Sequence, residues 1–195
     1  MKTRIGYDTS VFKKAQGILK MKKKMLNRVE NELKDEMYKN VLIVSGCMGI
    51  ALFENQGWRK NRIANLFSEI SESWDECAKD DKMSMLEMCE NETGIAVYRE
   101  GYEGDYTELK YFQPRGKTEM TIDQTICMRQ QQKKWAYSLI FASAFLAMHR
   151  LHGFGKKRII ELRDQMEEVK SRYNGDAKKI SSACFKITGV EMELK

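Results

Sequence analysis

The chain has 195 residues, of which 42% are apolar and 32% charged, with 13 Gly and a single Pro. This length suits one large domain or two small ones, and the apolar fraction excludes wholesale disorder. One proline, together with many Lys, Glu, Met and Leu residues, favours a mostly helical fold over a sandwich or a barrel.

The formal charge of +6 is concentrated near the N-terminus, because residues 1–40 contain eleven Lys/Arg against five Asp/Glu. Apolar residues recur there at helical spacing, so residues 1–24 are predicted to form a basic amphipathic helix. A single helix and a pair of helices broken near Gly17 are the two alternatives. Such a face attracts phosphate, a membrane surface or an acidic protein patch. A merely solvated helix face is the other interpretation of the lysines at 20–24.

Two uncharged apolar stretches, Val41 to Phe53 and Trp135 to Met148, are shorter than the roughly 20 residues that span a bilayer. Both are predicted to be buried core helices. The N-terminus lacks the apolar segment of a signal peptide, and the five cysteines form no CxxC pair. These features predict a cytoplasmic protein with reduced thiols, no metal, no cofactor and no membrane partner.

An internal repeat is the most informative feature of the sequence. Residues 50–67 align with residues 146–163 at an offset of 96, and residues 89–95 align with residues 184–190 at an offset of 95. The alignment predicts a duplicated helical unit at residues 25–97 and 120–195. The identical pairs at the first offset are Ala51/Ala147, Gly57/Gly153, Lys60/Lys156, Arg62/Arg158, Ile63/Ile159 and Leu66/Leu162.

Each unit is predicted to contain a long helix, a Gly-aromatic turn, a second helix and a short third helix. In the second unit Thr121 and Gln124 form a capping-box pattern, and Gly153 ends the long helix. In the first unit Gly46 and Gly49 either weaken the long helix or allow close helix approach. Ser84 is predicted to cap the short third helix.

The connector at residues 98–119 is rich in tyrosine and glycine. Its segment 107–112 alternates at period two, which is typical of a small β-hairpin, although a plain tethering loop fits equally well. Tyrosine is favoured at interface hot spots, so the connector is predicted to bind protein. The residues assigned to this role are Tyr98, Tyr102, Tyr106 and Tyr111.

The residues that could perform chemistry do not assemble into a catalytic site at the sequence level. His149 lies at the edge of an apolar helix and aligns with Phe53, which favours a structural role over a general base. Lys156, Lys157 and Arg158 at a predicted helix start could hold a phosphate, but the P-loop pattern is absent. The favoured alternative is a structural role, in which Arg62 and Arg158 pair with acidic groups on a neighbouring helix. The sequence therefore favours a protein that is not an enzyme.

The segment from Leu146 to Ile159 resembles a motif of small proteins encoded by phages and prophages of Gram-positive bacteria. In that group an apolar helix ends in an LHxxFGFGKKR-like turn, and a short helix further on ends in an EETG-like step. Glu92-Thr93-Gly94 and Thr188-Gly189 match the closing step here. Arg150 stands where the group has an acidic residue. The resemblance implies phage origin and a compact helical unit.

Phage origin favours a protein that binds and inhibits a host defence effector such as a CRISPR nuclease. A nucleic-acid-binding regulator is the alternative, and an enzyme acting through His149 is a third hypothesis. Apolar helix faces in two similar units could pack against each other within one chain or across a homodimer. The nucleic-acid hypothesis assigns phosphate contacts to Lys20, Lys22, Lys23, Lys24, Arg28, Lys156, Lys157 and Arg158.

Overall fold

The computed structural model describes residues 9–77, 85–97 and 120–192, and these residues form α-helices and short connections. The prediction of a mostly helical protein is confirmed, and the described residues contain no strand. The predicted hairpin at 107–112 and the predicted cap Ser84 lie outside these ranges. In chain order the helices are α1 (Thr9–Gln56), α2 (Lys60–Cys77), α3 (Met85–Thr93), α4 (Ile122–His152), α5 (Lys156–Arg172) and α6 (Ala177–Thr188).

The ends of α4 form as the sequence predicts. The Thr121 hydroxyl accepts from the Gln124 amide at 3.3 Å, and the Gln124 side chain accepts from the Thr121 amide at 2.9 Å. Gly153 ends the helix with φ 63°, a left-handed conformation that glycine adopts without steric cost. Asp176 caps α6 by accepting from the amides of Lys178 and Lys179. Local capping chemistry therefore fixes where these helices begin and end.

Helix α1 is continuous, so of the two predicted alternatives the single helix is observed and the break near Gly17 is not. It runs for 48 residues, about 72 Å at 1.5 Å per residue, and the boundary between residues 24 and 25 falls inside it. One glycine costs a helix only about 1 kcal/mol relative to alanine, which neighbouring turns offset.

The two long helices α1 and α4 lie side by side and parallel. Lys22 pairs with Asp123, and Lys133 pairs with Glu32 at 2.9 Å. Both pairs join residues that are 101 positions apart in the sequence. The two helices therefore run in the same direction and keep a constant register. The apolar halves of both helices are buried, which confirms that the stretches near residues 41–53 and 135–148 are core.

The segment Gln16–Gln56 of α1 is long and apolar enough to cross a membrane by length and composition alone. Of its most apolar window, 67% is buried inside the structure. A buried core helix meets the same criteria, so this finding does not assign the segment to a bilayer.

The shorter helices cross over between the two halves of the chain. Helices α2 and α3 pack mainly on α4, whereas α5 and α6 pack mainly on α1. Contacts of α1 with α2, and of α4 with α5, are few by comparison. Each half therefore covers the long helix of the other half, and both contribute to one core.

Gly46 and Gly49 allow α6 to approach α1 closely. A Cβ on Gly46 would lie 2.5 Å from Cγ2 of Ile180, and one on Gly49 would lie 3.0 Å from Sγ of Cys184. Of the two predicted roles for these glycines, close helix approach is the one observed.

Candidate interaction surfaces

The Gly-aromatic turn after α4 is held by its own side chains. The amide of Phe154 donates to the carbonyl of Met148 at 3.1 Å, and Nδ1 of His149 donates to the carbonyl of Phe154 at 3.0 Å. The guanidinium of Arg158 lies 3.7 Å from the centre of the buried Phe154 ring. His149 is thereby engaged in fixing the turn, and Arg158 in covering the aromatic plug.

The turn after α1 has the same geometry. The amide of Trp58 donates to the carbonyl of Leu52 at 3.1 Å, and the guanidinium of Arg62 lies 3.8 Å from the Trp58 ring centre. Phe53 replaces His149 at this turn, so the side-chain hydrogen bond to the turn carbonyl is specific to the second half.

The closing steps of α3 and α6 also share one geometry. The hydroxyls of Thr93 and Thr188 donate to the carbonyls of Cys89 and Cys184 at 2.6 and 2.8 Å. Each hydroxyl also accepts at 3.1 Å from a backbone amide two residues later. Gly94 and Gly189 follow, with φ 69° and 72°. Residues that align in the sequence therefore make the same contacts.

Each closing step lies against the turn of the other half. The side chain of Lys156 is 3.4 Å from the Cβ position of Gly94, and that of Lys60 is 3.4 Å from the Cβ position of Gly189. The stem of Lys156 and the guanidinium of Arg158 therefore contact neighbouring groups, although Lys156, Lys157 and Arg158 are all exposed. The basic side chains at the start of α5 therefore contact protein groups, and their predicted phosphate role stays a prediction.

Polar side chains near the turns connect helices. His152 Nε2 donates to Glu69 at 2.6 Å, and the His152 ring meets Trp58 edge-on at 4.9 Å. Arg150 donates twice to Glu92, at 2.8 and 2.5 Å, which lowers the pKa of that carboxyl. The part of the chain that the structure describes holds no group of three or more metal-ligating side chains. These contacts join helices to one another.

The buried thiols are held in their protonated form. Burial raises the pKa of Cys47 to about 12 and also raises the pKa of Cys184. Because the thiolate is the reactive species, these cysteines are inert as nucleophiles. Cys127 is the exposed cysteine among the four whose side chains are described.

The N-terminal part of α1 projects beyond the rest of the described structure. Residues 16–21 are exposed, and so are Lys14, Lys23 and Lys24. Large apolar side chains share this exposure: Ile18 is 53% exposed, Leu19 47%, Met21 68% and Met25 49%. The predicted basic amphipathic stretch is therefore helical, and part of its apolar side is uncovered.

The structure separates the two groups of basic residues assigned to nucleic acid. Lys22 and Arg28 are engaged in ion pairs with Asp123 and Glu32. Lys156 to Arg158 follow the C-terminal end of α4, whereas residues 20–28 lie near its N-terminal end. The 31 residues of α4 put about 46 Å between these ends. The two basic groups do not form one continuous face.

A groove of about 550 Å³ lies among α1, α2 and α4, with Met37, Phe67 and Trp74 among its lining residues. Val41 and Ser45 also line it, and at the offset of 96 they align with Tyr137 and Phe141. The rings of those two residues stack with their centres 5.4 Å apart. Smaller side chains at the aligned positions contribute to the opening on the α1 side. This difference in side-chain size can be read from the sequence only when the two segments are aligned.

No protein-family model matches the chain, and no match is found among curated proteins or solved structures. The four tyrosines assigned to protein binding lie outside the described residues.

Proposed function

We propose that this protein is a non-catalytic binding factor that recognises another protein. The observation that carries the proposal is the uncovered apolar surface on the projecting part of α1, where Ile18, Leu19 and Met21 are about half exposed or more. Each such side chain stabilises a complex by roughly 1–2 kcal/mol when a partner covers it. Clustered exposed apolar residues with a polar border are typical of protein interaction sites.

The engagement of polar groups elsewhere supports a binding role. His149 and His152 each make a structural hydrogen bond. The core cysteines are buried, and burial raises the pKa of Cys47 and Cys184, which suppresses their reactivity. The matched turns and closing steps support the further proposal that one helical unit was duplicated. Under this proposal the duplicated body serves as a rigid support for α1.

The target that we propose is a host defence effector such as a CRISPR nuclease, in the cytoplasm of a bacterium. Its support is the resemblance of the turn at residues 146–159 to phage proteins, together with the exposed surface of α1. The test is affinity capture from lysogenic cells, followed by assay of the captured effector with purified protein. Stable capture with loss of effector activity is expected, and retention of no host protein above background refutes the proposal.

A nucleic-acid-binding regulator is the second candidate, and the exposure of Lys20, Lys23 and Lys24 favours it. Binding through phosphates weakens steeply as salt rises because condensed counterions are released. Gel-shift titrations at two salt concentrations, with and without residues 1–24, separate the candidates. A salt-sensitive shift that needs residues 1–24 supports nucleic-acid binding, and an absent or salt-insensitive shift excludes it.

A further inference from the structure

The two Gly-aromatic turns meet at one end of the molecule. Helices α1 and α4 are parallel, so both turns lie at the same end, and the rings of Trp58 and Phe154 meet edge-on with their centres 6.3 Å apart. Arg62 and Arg158 lie over these two rings at 3.8 and 3.7 Å. Helices α2 and α5 begin directly after the turns, so their first residues lie at this end too. We call the basic residues collected here the basic end face: Arg59, Lys60, Arg62, Lys156, Lys157 and Arg158.

The charge of the basic end face is not balanced within the described part of the chain. All of its side chains are exposed, and none of them forms an ion pair with another described residue. Residues 55–68 and 146–160 contain no Asp or Glu. By contrast, the nearby Arg150 is paired with Glu92, and Arg172 is paired with Glu54. An anionic partner would supply the counter-charge that these residues lack.

The helix dipoles of α2 and α5 add to the positive charge of the face. The N-terminal end of a helix carries a partial positive charge, so Asp and Glu are favoured in the first turn and Lys and Arg are disfavoured. Neither α2 nor α5 has an acidic residue in its first turn. Both begin with lysine, at Lys60 and Lys156, and continue with arginine two residues later. An anion bound at this face would turn an unfavourable arrangement of charges into a favourable one.

The composition of the face favours a phosphate backbone over a protein or a membrane. Trp58 and Phe154 are 3% and 1% exposed, so neither ring is open to serve as an aromatic anchor for a protein partner. Leu151 is exposed in the second of the two acid-free segments, but one such side chain offers little apolar area to a membrane. Phosphate contacts need several exposed cations and no apolar cover. The planar guanidinium groups of Arg62 and Arg158 are also suited to donate two hydrogen bonds to one phosphate.

We propose that the basic end face binds the phosphate backbone of nucleic acid. Its cations come from both halves of the chain, so the site depends on the contact between the two turns and not on a single helix. The face lies at the end of α4 opposite to residues 20–28, so its binding does not require residues 1–24. This inference goes beyond the proposed protein-binding function and is independent of it.

The test measures the anisotropy of a fluorescent DNA duplex of about 20 base pairs with the full-length protein, at about 50 and about 200 mM salt. We expect saturable binding that weakens at least about a hundredfold at the higher salt, because several phosphate contacts release counterions. The double variant Arg59→Gln with Lys157→Gln removes one cation from each half and leaves the stacked arginines in place. It is expected to bind about tenfold more weakly, with a smaller dependence on salt.

The matched control is the double variant Lys23→Gln with Lys24→Gln, which removes the same charge from exposed lysines of α1 and is expected to bind as the wild type does. Phosphatidylserine vesicles and a polyglutamate peptide are assayed in parallel as other polyanions. The inference is overturned if the duplex does not bind, if salt does not weaken binding, or if the Arg59 and Lys157 variant binds as tightly as the wild type. Vesicles or polyglutamate that bind through Arg59 and Lys157 as tightly as the duplex would also overturn it.

Two further outcomes separate this inference from the other proposals. Loss of duplex binding in the Lys23 and Lys24 variant, with full binding by the Arg59 and Lys157 variant, would place the nucleic-acid contact on α1 and refute the basic end face. Capture of a host protein is expected to be unchanged in the Arg59 and Lys157 variant. Failure of duplex binding therefore leaves the proposed protein-binding function intact, and failure of capture leaves the basic end face intact.

Discussion

Thr93 and Thr188 show how one hydroxyl closes a helix. Each side chain is buried, donates to the carbonyl four residues earlier and accepts from the amide two residues later. Both backbone groups lie in the interior, where an unsatisfied polar group costs about 1–3 kcal/mol. The sequence gives Thr-Gly at both places, but it does not tell which backbone groups the hydroxyl satisfies.

Replacing either threonine with valine should therefore destabilise the protein. Thr93→Val and Thr188→Val are each expected to lower the free energy of unfolding by about 1–3 kcal/mol, measured by urea denaturation. Thr93→Ser and Thr188→Ser retain the hydroxyl and are expected to lose less. A serine variant as unstable as its valine counterpart would show that the methyl group, and not the hydrogen bonds, matters at that position.

At the scale of helices, sequence patterns predict ends well and contacts poorly. The capping box at Thr121 and the stop at Gly153 form as predicted, because each depends on residues within one or two turns. The ion pair of His152 with Glu69 joins residues 83 positions apart, and no local pattern could indicate it. The role of Gly46 was open for the same reason, since it depends on Ile180.

Two glycines of α1 should respond in opposite ways to alanine. Gly46→Ala places a methyl group 2.5 Å from Ile180 and is expected to cost about 1–3 kcal/mol through overpacking. Gly17→Ala meets no atom within 4 Å and is expected to stabilise α1 by about 0.5–1 kcal/mol. Thermal unfolding followed by circular dichroism measures both, and a stabilised Gly46→Ala variant would contradict the close approach of α6.

The pair of Glu92 with Arg150 should give α3 a pH-dependent attachment to α4. The hydrogen bonds from Arg150 hold the pKa of Glu92 below its usual 4.5, so the folded state binds a proton less readily than the unfolded chain. The stabilisation is therefore complete above about pH 5 and is lost as the pH falls through the folded-state pKa.

Glu92→Gln is accordingly expected to lower stability by about 0.5–1 kcal/mol at pH 7, with the difference from wild type shrinking toward pH 3. The exposed pair of Arg163 with Asp164, at 2.9 Å, joins neighbours in one helix, so Asp164→Asn serves as the control and should change stability little. Urea titrations across pH measure both variants. A Glu92→Gln difference that grows as the pH falls would contradict the assigned sign.

For the whole molecule, the feature that sequence reasoning did not indicate is which long helix the shorter helices cover. Helical periodicity identifies the buried face of α5, for example Ile159 and Leu162, but it does not say which long helix that face meets. Short connections favour neighbouring helices in general. Here α5 and α6 lie mainly on α1, and α2 and α3 lie mainly on α4. The similarity between residues 50–67 and 146–163 can be read from the sequence, whereas this exchange is a property of the three-dimensional core.

The most direct measurement divides the chain into fragments 1–97 and 98–195 and follows each alone and mixed, by circular dichroism and light scattering. Because each half covers the long helix of the other, neither fragment is expected to unfold cooperatively as a monomer, while an equimolar mixture should form a folded complex of one copy each. A fragment that is monomeric and shows its own cooperative unfolding transition would contradict the shared core on which the proposed support for α1 depends.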